Sequence, residues 1–330
     1  VFMLIHLLTR KENISFLGAL IASFIPVFIF ETINSASVYT LSLPLIVLLM
    51  YYFIRINTTK DPKWFIIFYI VLLLTDPSTI LLVLAILLYL LFSWTEGLNV
   101  KRGEIELATF SLLSSVLFYI FFFREALMLH GPSIIFGNLP PGVMNNYFSS
   151  LQFSQTLINI GIIPLLSAIF VSFLYLGKKK KKSVYLPMSF AFIIALMLVF
   201  RLVPVVLGLM YLGITCTILF GEFFDYLIEY FKKTKFSKLK WSVYVVLLLI
   251  VVITSFFPSL LGAKQVTSVP EFHETITLLN VLPDISNSSS TVAAVPENGH
   301  LITYFAERNN VADSNYLYIN DASQRVTDLK

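Results

Sequence analysis

Long apolar runs alternate with short polar breaks along this chain, and most of the breaks carry Lys or Arg. Residues 14–30 and 36–54 each approach the ~20 residues that cross a bilayer as a helix. Both therefore predict membrane spans, with residues 31–35 as the turn between them. Residues 1–8 read as the tail of one further helix. The run 64–94 is too long for one span and too short for two full ones. It breaks at Thr75-Asp76-Pro77-Ser78, where Asp followed by Pro signals a helix start. Two short helices follow, 64–74 and 78–93. A helix of that first length rises only about 17 Å, against a hydrocarbon core of about 30 Å. The Asp76 turn is thus expected below the membrane surface, where irregular backbone needs protein or a water-filled cavity around it.

Residues 107–123, 156–176, 184–200, 202–220 and 241–257 complete nine spans beyond the partial first one. Between two of them lies the long break 124–155, with Gly131-Pro132, Pro140-Pro141-Gly142 and Asn145-Asn146. It is too polar and too broken to span, and loops of such length are usually functional or disordered. No internal repeat is evident. The expected organisation is a transmembrane domain over 1–258 and an external soluble domain over 259–330. In that tail Phe272, Ile276 and Leu279 fall at helical spacing over 270–282. A loop at Asn287, a strand over 291–295, a turn over 296–299, a helix over 300–306 and an extended piece over 310–313 follow. This is the opening of an α/β domain. The chain reads as a fragment at both ends.

Charge gives the runs a direction. Seventeen of the 23 Lys and Arg residues fall in five clusters: Arg10-Lys11; Arg55, Lys60 and Lys63; Lys101-Arg102; Lys178 to Lys182; and five lysines between Lys232 and Lys240. Such clusters mark cytoplasmic loops, which places the C-terminal tail outside. Of the sequons, Asn13 and Asn57 then lie inside and Asn287 outside. The chain is 57% hydrophobic and 13% charged, with mean hydropathy +0.84, against roughly 45–50% and about 25% for soluble domains. The run Lys178–Lys182 is a topology signal with contact to anionic lipid, and no nucleic-acid partner is expected. The single Cys216 makes no internal disulfide. Gly-x-Gly-x-x-Gly, Walker, His-Glu-x-x-His and paired-Cys motifs are all lacking, which removes the motif support for nucleotide-driven transport and zinc proteolysis.

Several polar residues stand out against this background. Asp76 is an ionisable group at membrane depth, read as a cavity-lining functional residue, as the N-cap of the Pro77 helix, or as both together. Glu31 begins an outer turn, as a cavity or metal residue or a solvated loop end. Arg124, Glu125 and His130 open the long loop. Arg201 stands at the outer end of a span. It is either a phosphate contact, since its planar fork donates two hydrogen bonds at once, or an anchor snorkelling to headgroups.

The segment 295–315, Val-Pro-Glu-Asn-Gly-His-Leu-Ile-Thr-Tyr-Phe-Ala-Glu-Arg-Asn-Asn-Val-Ala-Asp-Ser-Asn, resembles the region around the Trp-Trp-Asp-Tyr-Gly motif of the oligosaccharyltransferase catalytic subunit, a membrane glycosyltransferase of the GT-C superfamily. In that family a short helix, an Arg and a Val-Ala-Asp follow the motif; Gly299, Arg308 and Val311-Ala312-Asp313 match. The topology is similar when counted back from the tail. If 241–257 is the family's last span, the loop 124–155 falls where the family has its long external loop. The departures are that Val295, Pro296 and Glu297 stand where the family has two Trp and an Asp. Gln152 and Gln155 stand near the place of its external-loop acid.

The resemblance implies a GT-C-like helical membrane fold that transfers a sugar or oligosaccharide from a polyprenyl-phosphate-linked donor to an external acceptor. It implies donor-phosphate contacts at Arg201 and Arg124. The cavity would be lined by Glu31, Asp76, Gln152 and Gln155, and the acceptor bound by Glu297, Asn298, Gly299 and His300. It also implies a divalent metal (Mn or Mg) whose ligand acids match nothing in this sequence. Within enzymes the alternative is a transferase acting on lipid or on Ser/Thr. Outside them stand a secondary transporter and a non-enzymatic scaffold.

Overall fold

A computed structural model describes residues 1–33, 38–59, 61–131, 153–177, 180–234, 240–267, 271–294, 298–311, 313, 321, 324–325 and 328. The chain divides into two compact units, Val1–Val116 with Leu151–Val266, and Leu117–Ser150 with Thr267–Lys330.

The first unit is helical. In chain order come α1 (Phe2–Thr9), α2 (Glu12–Ser23), α3 (Pro26–Thr32), α4 (Tyr39–Thr59), α5 (Lys63–Thr75), α6 (Thr79–Thr95) and α7 (Arg102–Phe122), the last running on into the second unit. Beyond α8 (Arg124–His130) of the second unit follow α9 (Phe153–Ile160), α10 (Ile162–Gly177), α11 (Lys182–Val199) and α12 (Val205–Lys233). The last is α13 (Lys240–Val251), which continues through a π turn, Val252–Phe256, into α14 (Phe257–Thr267). Among the described residues, α4, α7, α11, α12 and the stretch Tyr244–Lys264 are each long and apolar enough to cross a membrane; the pair α2–α3, bent by 54°, would be a sixth. Helices α5, α6 and α10 are apolar but shorter. This is the architecture of a multi-pass helical membrane protein.

Three expected spans prove to be interrupted. Residues 14–30 divide at Ile25, whose backbone is extended (φ −69°, ψ 123°), with Pro26 opening α3. Proline has no N–H to continue the ladder and its ring clashes with the preceding turn, so α2 stops before it. Residues 156–176 divide at Gly161, whose φ of 91° lies in the region that glycine alone enters cheaply. Residues 241–257 contain the π turn, and the helix then continues to Thr267, past the expected boundary at 258. The expected helix 202–220 also runs further, to Lys233.

The three irregularities meet. Ser259 Oγ lies 2.6 Å from Phe24 O and 2.7 Å from Ser255 O, its one proton serving either carbonyl, and the Phe24 and Phe256 rings pack edge to face at 4.6 Å. A Cβ on Gly161 would fall 2.6 Å from Ser255 Oγ, so a glycine is required there for space as well as for φ. Ser255 Oγ is buried without a hydrogen-bond partner among the described residues. Such kinks have the usual causes: a proline, a glycine and a π-bulge.

Helix α12 is the axis of this unit. Seventeen of its residues are buried, from Leu207 to Phe224, and α1, α2, α10 and α11 pack around it. Close approach depends on Gly221, where a Cβ would come within 2.6 Å of Ile5 Cγ2.

In the second unit, α15 (Glu271–Ile285), β1 (Thr291–Val292), α16 (Gly299–Phe305) and β2 (Asn309–Asn310) follow the order read from the sequence. The strands pair parallel, Thr291 with Asn309 and Val292 with Asn310. Leu279, Ile302 and Ala306 form a small core with Leu282, Val292 and Phe305 around it. Arg308 is buried and ties the unit together. Its guanidinium donates to Pro283 O (3.0 Å), Ser286 O (2.7 Å) and Ser286 Oγ (3.0 Å), satisfying carbonyls that the end of α15 leaves without helical partners.

Candidate functional site

At one end of the first unit, several residues of the basic clusters are paired with acids. Lys182 bonds the Glu104 carboxylate, which is 0% exposed; Tyr89 Oη donates to Glu104 Oε1 (2.6 Å) and Lys101 N to Oε2 (2.9 Å). Its neighbour Lys181 turns to α12, bonding Glu222 (2% exposed) at 2.6 Å and Leu8 O at 2.6 Å; Tyr175 Oη donates to Glu222 Oε2 at 2.7 Å. Lys180 pairs with Glu96 at 3.2 Å, and Lys11 with Asp225. Two consecutive lysines therefore lock two buried Tyr–Glu pairs on opposite sides of the start of α11. Cations at a helix N-terminus oppose the macrodipole; the two carboxylates offset that. The lysine run is thus more than a loop charge, which its sequence does not reveal because the partners lie 41 and 78 residues away.

Asp76 closes α5 as expected, but it is packed rather than aimed into open space. It is 5% exposed; its Oδ1 accepts from Ser78 N (3.0 Å) and its Oδ2 from Ser78 Oγ (2.7 Å). Tyr211 Oη of α12 lies 2.8 Å from Ser78 Oγ and 3.2 Å from Asp76 Oδ2, and Ser42 of α4 is 2.9 Å from Tyr211 Oη. The hydroxyls can hand protons in one direction, Ser42 to Tyr211 to Ser78 to Asp76. Such a satisfied buried network fixes three helices relative to one another. These contacts are those of a helix-start residue, and the cavity-lining reading is compatible with them, since each carboxylate oxygen can accept more than one hydrogen bond.

Arg201 sits in the turn between α11 and α12. Its N–H bonds Leu198 O (3.2 Å) and the next N–H, of Leu202, bonds Met197 O (2.8 Å). That pairing puts Arg201 at the left-handed position closing α11, with φ 54°, where Gly is usual. Arg10 takes the same conformation at the end of α1, so the conformation alone does not single Arg201 out. Its neighbours do: Val199, Phe200 and Leu202 are all exposed, and the Arg201 side chain is exposed among them. Among the described residues it forms no ion pair.

The remaining candidates scatter. Glu31 is half-buried in the last turn of α3. Arg124 opens α8, exposed, in the other compact unit from Arg201. Gln152 and Glu297 lie outside the described residues, and Gln155 is described only as part of α9. Asn298 is the residue before α16, Gly299 begins that helix, and His300 Nδ1 lies 3.8 Å from Asp313 Oδ2. Within the segment that resembles the family's, Arg308 thus has a structural task, His300 lies beside Asp313, and Asn310 Nδ2 donates to Gly299 O (3.0 Å).

No group of three or more His, Cys, Asp or Glu side chains that could hold a metal ion occurs among the described residues. No known protein-family model and no curated protein matches this chain.

Proposed function

We propose that this chain serves a membrane glycosyltransferase that moves a sugar or oligosaccharide from a polyprenyl-phosphate-linked donor to an external acceptor. The observation that carries the reading is Arg201, an exposed guanidinium without an ion pair among the described residues, held in a helix-closing turn and bordered by exposed Val199, Phe200 and Leu202. A donor of this class has a long apolar chain and a phosphate, and that turn offers a surface for each. Charge-assisted, bidentate contact is what a guanidinium supplies to phosphate. The resemblance of 295–315 to the oligosaccharyltransferase segment gives the acceptor side of the reading. The test is incubation of the protein in lipid nanodiscs with a radiolabelled polyprenyl-diphosphate sugar and a peptide acceptor. Label retained by the protein is expected. Absence of retention, with the same lipid bound by a known donor-binding control, contradicts it.

One observation favours a second reading, a secondary transporter. Interrupted helices line the substrate sites of such proteins, and here the breaks at Ile25, Gly161 and the π turn adjoin one another. Solute-dependent currents in proteoliposomes would support it; an electrically and osmotically silent protein would oppose it.

A further inference from the structure

A slot opens at the basic end of the first unit, where the first turns of α5 and α7 part from the last turn of α4. Its volume is about 650 Å³, within the roughly 300–1,000 Å³ of sites that hold organic ligands. Ile56, Ile66, Leu107 and Phe110 form apolar walls, and Lys101 with Arg102 stands at the mouth. Further along the helices the gap is closed: Tyr69 Oη donates to Ser111 O (2.7 Å) and lies 2.6 Å from Ser115 Oγ, clasping α5 to α7. At its side Gly103 lets Ile56 come near, since a Cβ there would sit 3.4 Å from Ile56 Cγ1. The slot is therefore blind, greasy within and basic at the opening.

The charges at the opening favour an anion. Lys63, next to Pro62 of the lining, adds a third exposed cation, against Asp61 and Glu106. Glu106 pairs with Arg102 at 2.7 Å, but those side chains are 60% and 92% exposed. Such a surface pair contributes about 0–1 kcal/mol and yields readily to a phosphate, for which a guanidinium is the better match. The mouth also holds the N-termini of α5 and α7, whose dipoles favour negative charge; at α5 the Lys63 N–H already donates to Asp61 Oδ1 (3.1 Å). Basic pockets between membrane helices on the side of the Lys-rich loops are where anionic headgroups bind.

We propose that this slot is a docking site for one anionic glycerophospholipid, its acyl chain between α5 and α7 and its headgroup phosphate on Lys101 and Arg102. The proposal does not depend on the transferase reading. Its physical consequence is that a bound chain completes the α5–α7 seam that the protein leaves open.

The experiment is native mass spectrometry of the delipidated, detergent-purified protein titrated with phosphatidylglycerol and, separately, phosphatidylcholine of the same acyl chains. One phosphatidylglycerol is expected to bind in preference to phosphatidylcholine. Lys101→Gln/Arg102→Gln is expected to weaken phosphatidylglycerol on the order of thirty-fold, taking ~1 kcal/mol for each cation removed. The backbone bond from Lys101 N to Glu104 survives that change, and Arg102 is nearly fully exposed, so folding is not at stake. Ile66→Trp fills the slot and is expected to abolish the single tight adduct. Equal binding of the two lipids overturns the proposal, as does an unchanged preference in the double Gln variant. Loss in that variant with full binding by Ile66→Trp shows a surface headgroup patch and overturns the slot.

Discussion

Replacing Lys182 by Met tests whether the lysine run works inside the protein. In the structure Lys182 pairs with Glu104, a carboxylate with no exposed surface that also accepts from Tyr89 Oη and Lys101 N. Without the ammonium, that buried charge loses its ion pair with Lys182. Removing one partner of a buried pair costs about 3–5 kcal/mol, whereas replacing both by apolar groups of similar size is often neutral or stabilising. The single variant Lys182→Met should therefore unfold at markedly lower denaturant, by ~3–5 kcal/mol. The double variant Lys182→Met/Glu104→Met should recover most of that. The matching cycle at Lys180 and Glu96, a pair half open to solvent, should show about 0–1 kcal/mol. Equilibrium unfolding in mixed micelles, followed by helical circular dichroism, gives the coupling energy of each cycle directly. If Lys182→Met changes stability by no more than Lys180→Met, or if the double variant is as damaged as the single, the internal role of Lys182 is wrong.

Three other outcomes follow from the geometry. Asn287 is exposed and begins a turn, its C=O accepting from Ser290 N at 2.9 Å; expression in a glycosylating host should add a glycan there and leave Asn13 and Asn57 bare, and a glycan at either of those would invert the orientation. Gly161→Ala combines an unfavourable φ with a Cβ 2.6 Å from Ser255 Oγ, so it should lower the melting temperature, with a cost of roughly 1–3 kcal/mol; a neutral result would mean the helix break there relaxes freely. Arg308→Lys keeps the charge but cannot reach Pro283 O, Ser286 O and Ser286 Oγ together, and protease should then cut the tail near Ser286 faster than in wild type, an unchanged digestion rate counting against the Arg308 tie.

The apolar runs located the helices because hydropathy is a local property, and so did Asp76-Pro77, where a cap and a proline announce a turn within four residues. The β-α-β order of the tail was readable for the same reason. The breaks at Ile25 and Gly161 sit inside runs whose hydropathy does not change. Only Pro26 offered a signal, and Gly161 is required as much by Ser255, 94 positions on, as by its own φ. The partners of Lys181 and Lys182 were out of reach because charge in a sequence reveals side, not contact. At the candidate site, Arg201 was visible as an isolated cation beside a span, but its helix-closing conformation was not. Glu104 and Glu222 gave no signal at all, being ordinary acids near helix ends until burial is known.

The most direct test of the proposed function is donor affinity across wild type, Arg201→Lys and Arg201→Ala. Loss of one desolvated, charge-assisted contact costs roughly 2–5 kcal/mol, and each 1.4 kcal/mol is about tenfold in affinity. Arg201→Ala should weaken binding of a polyprenyl-diphosphate sugar by roughly 30-fold or more, and Lys should recover only part, lacking the planar fork. A snorkelling anchor would leave Lys as good as Arg and donor affinity nearly unmoved in both variants, and equal affinities across the three proteins would take Arg201 out of the site.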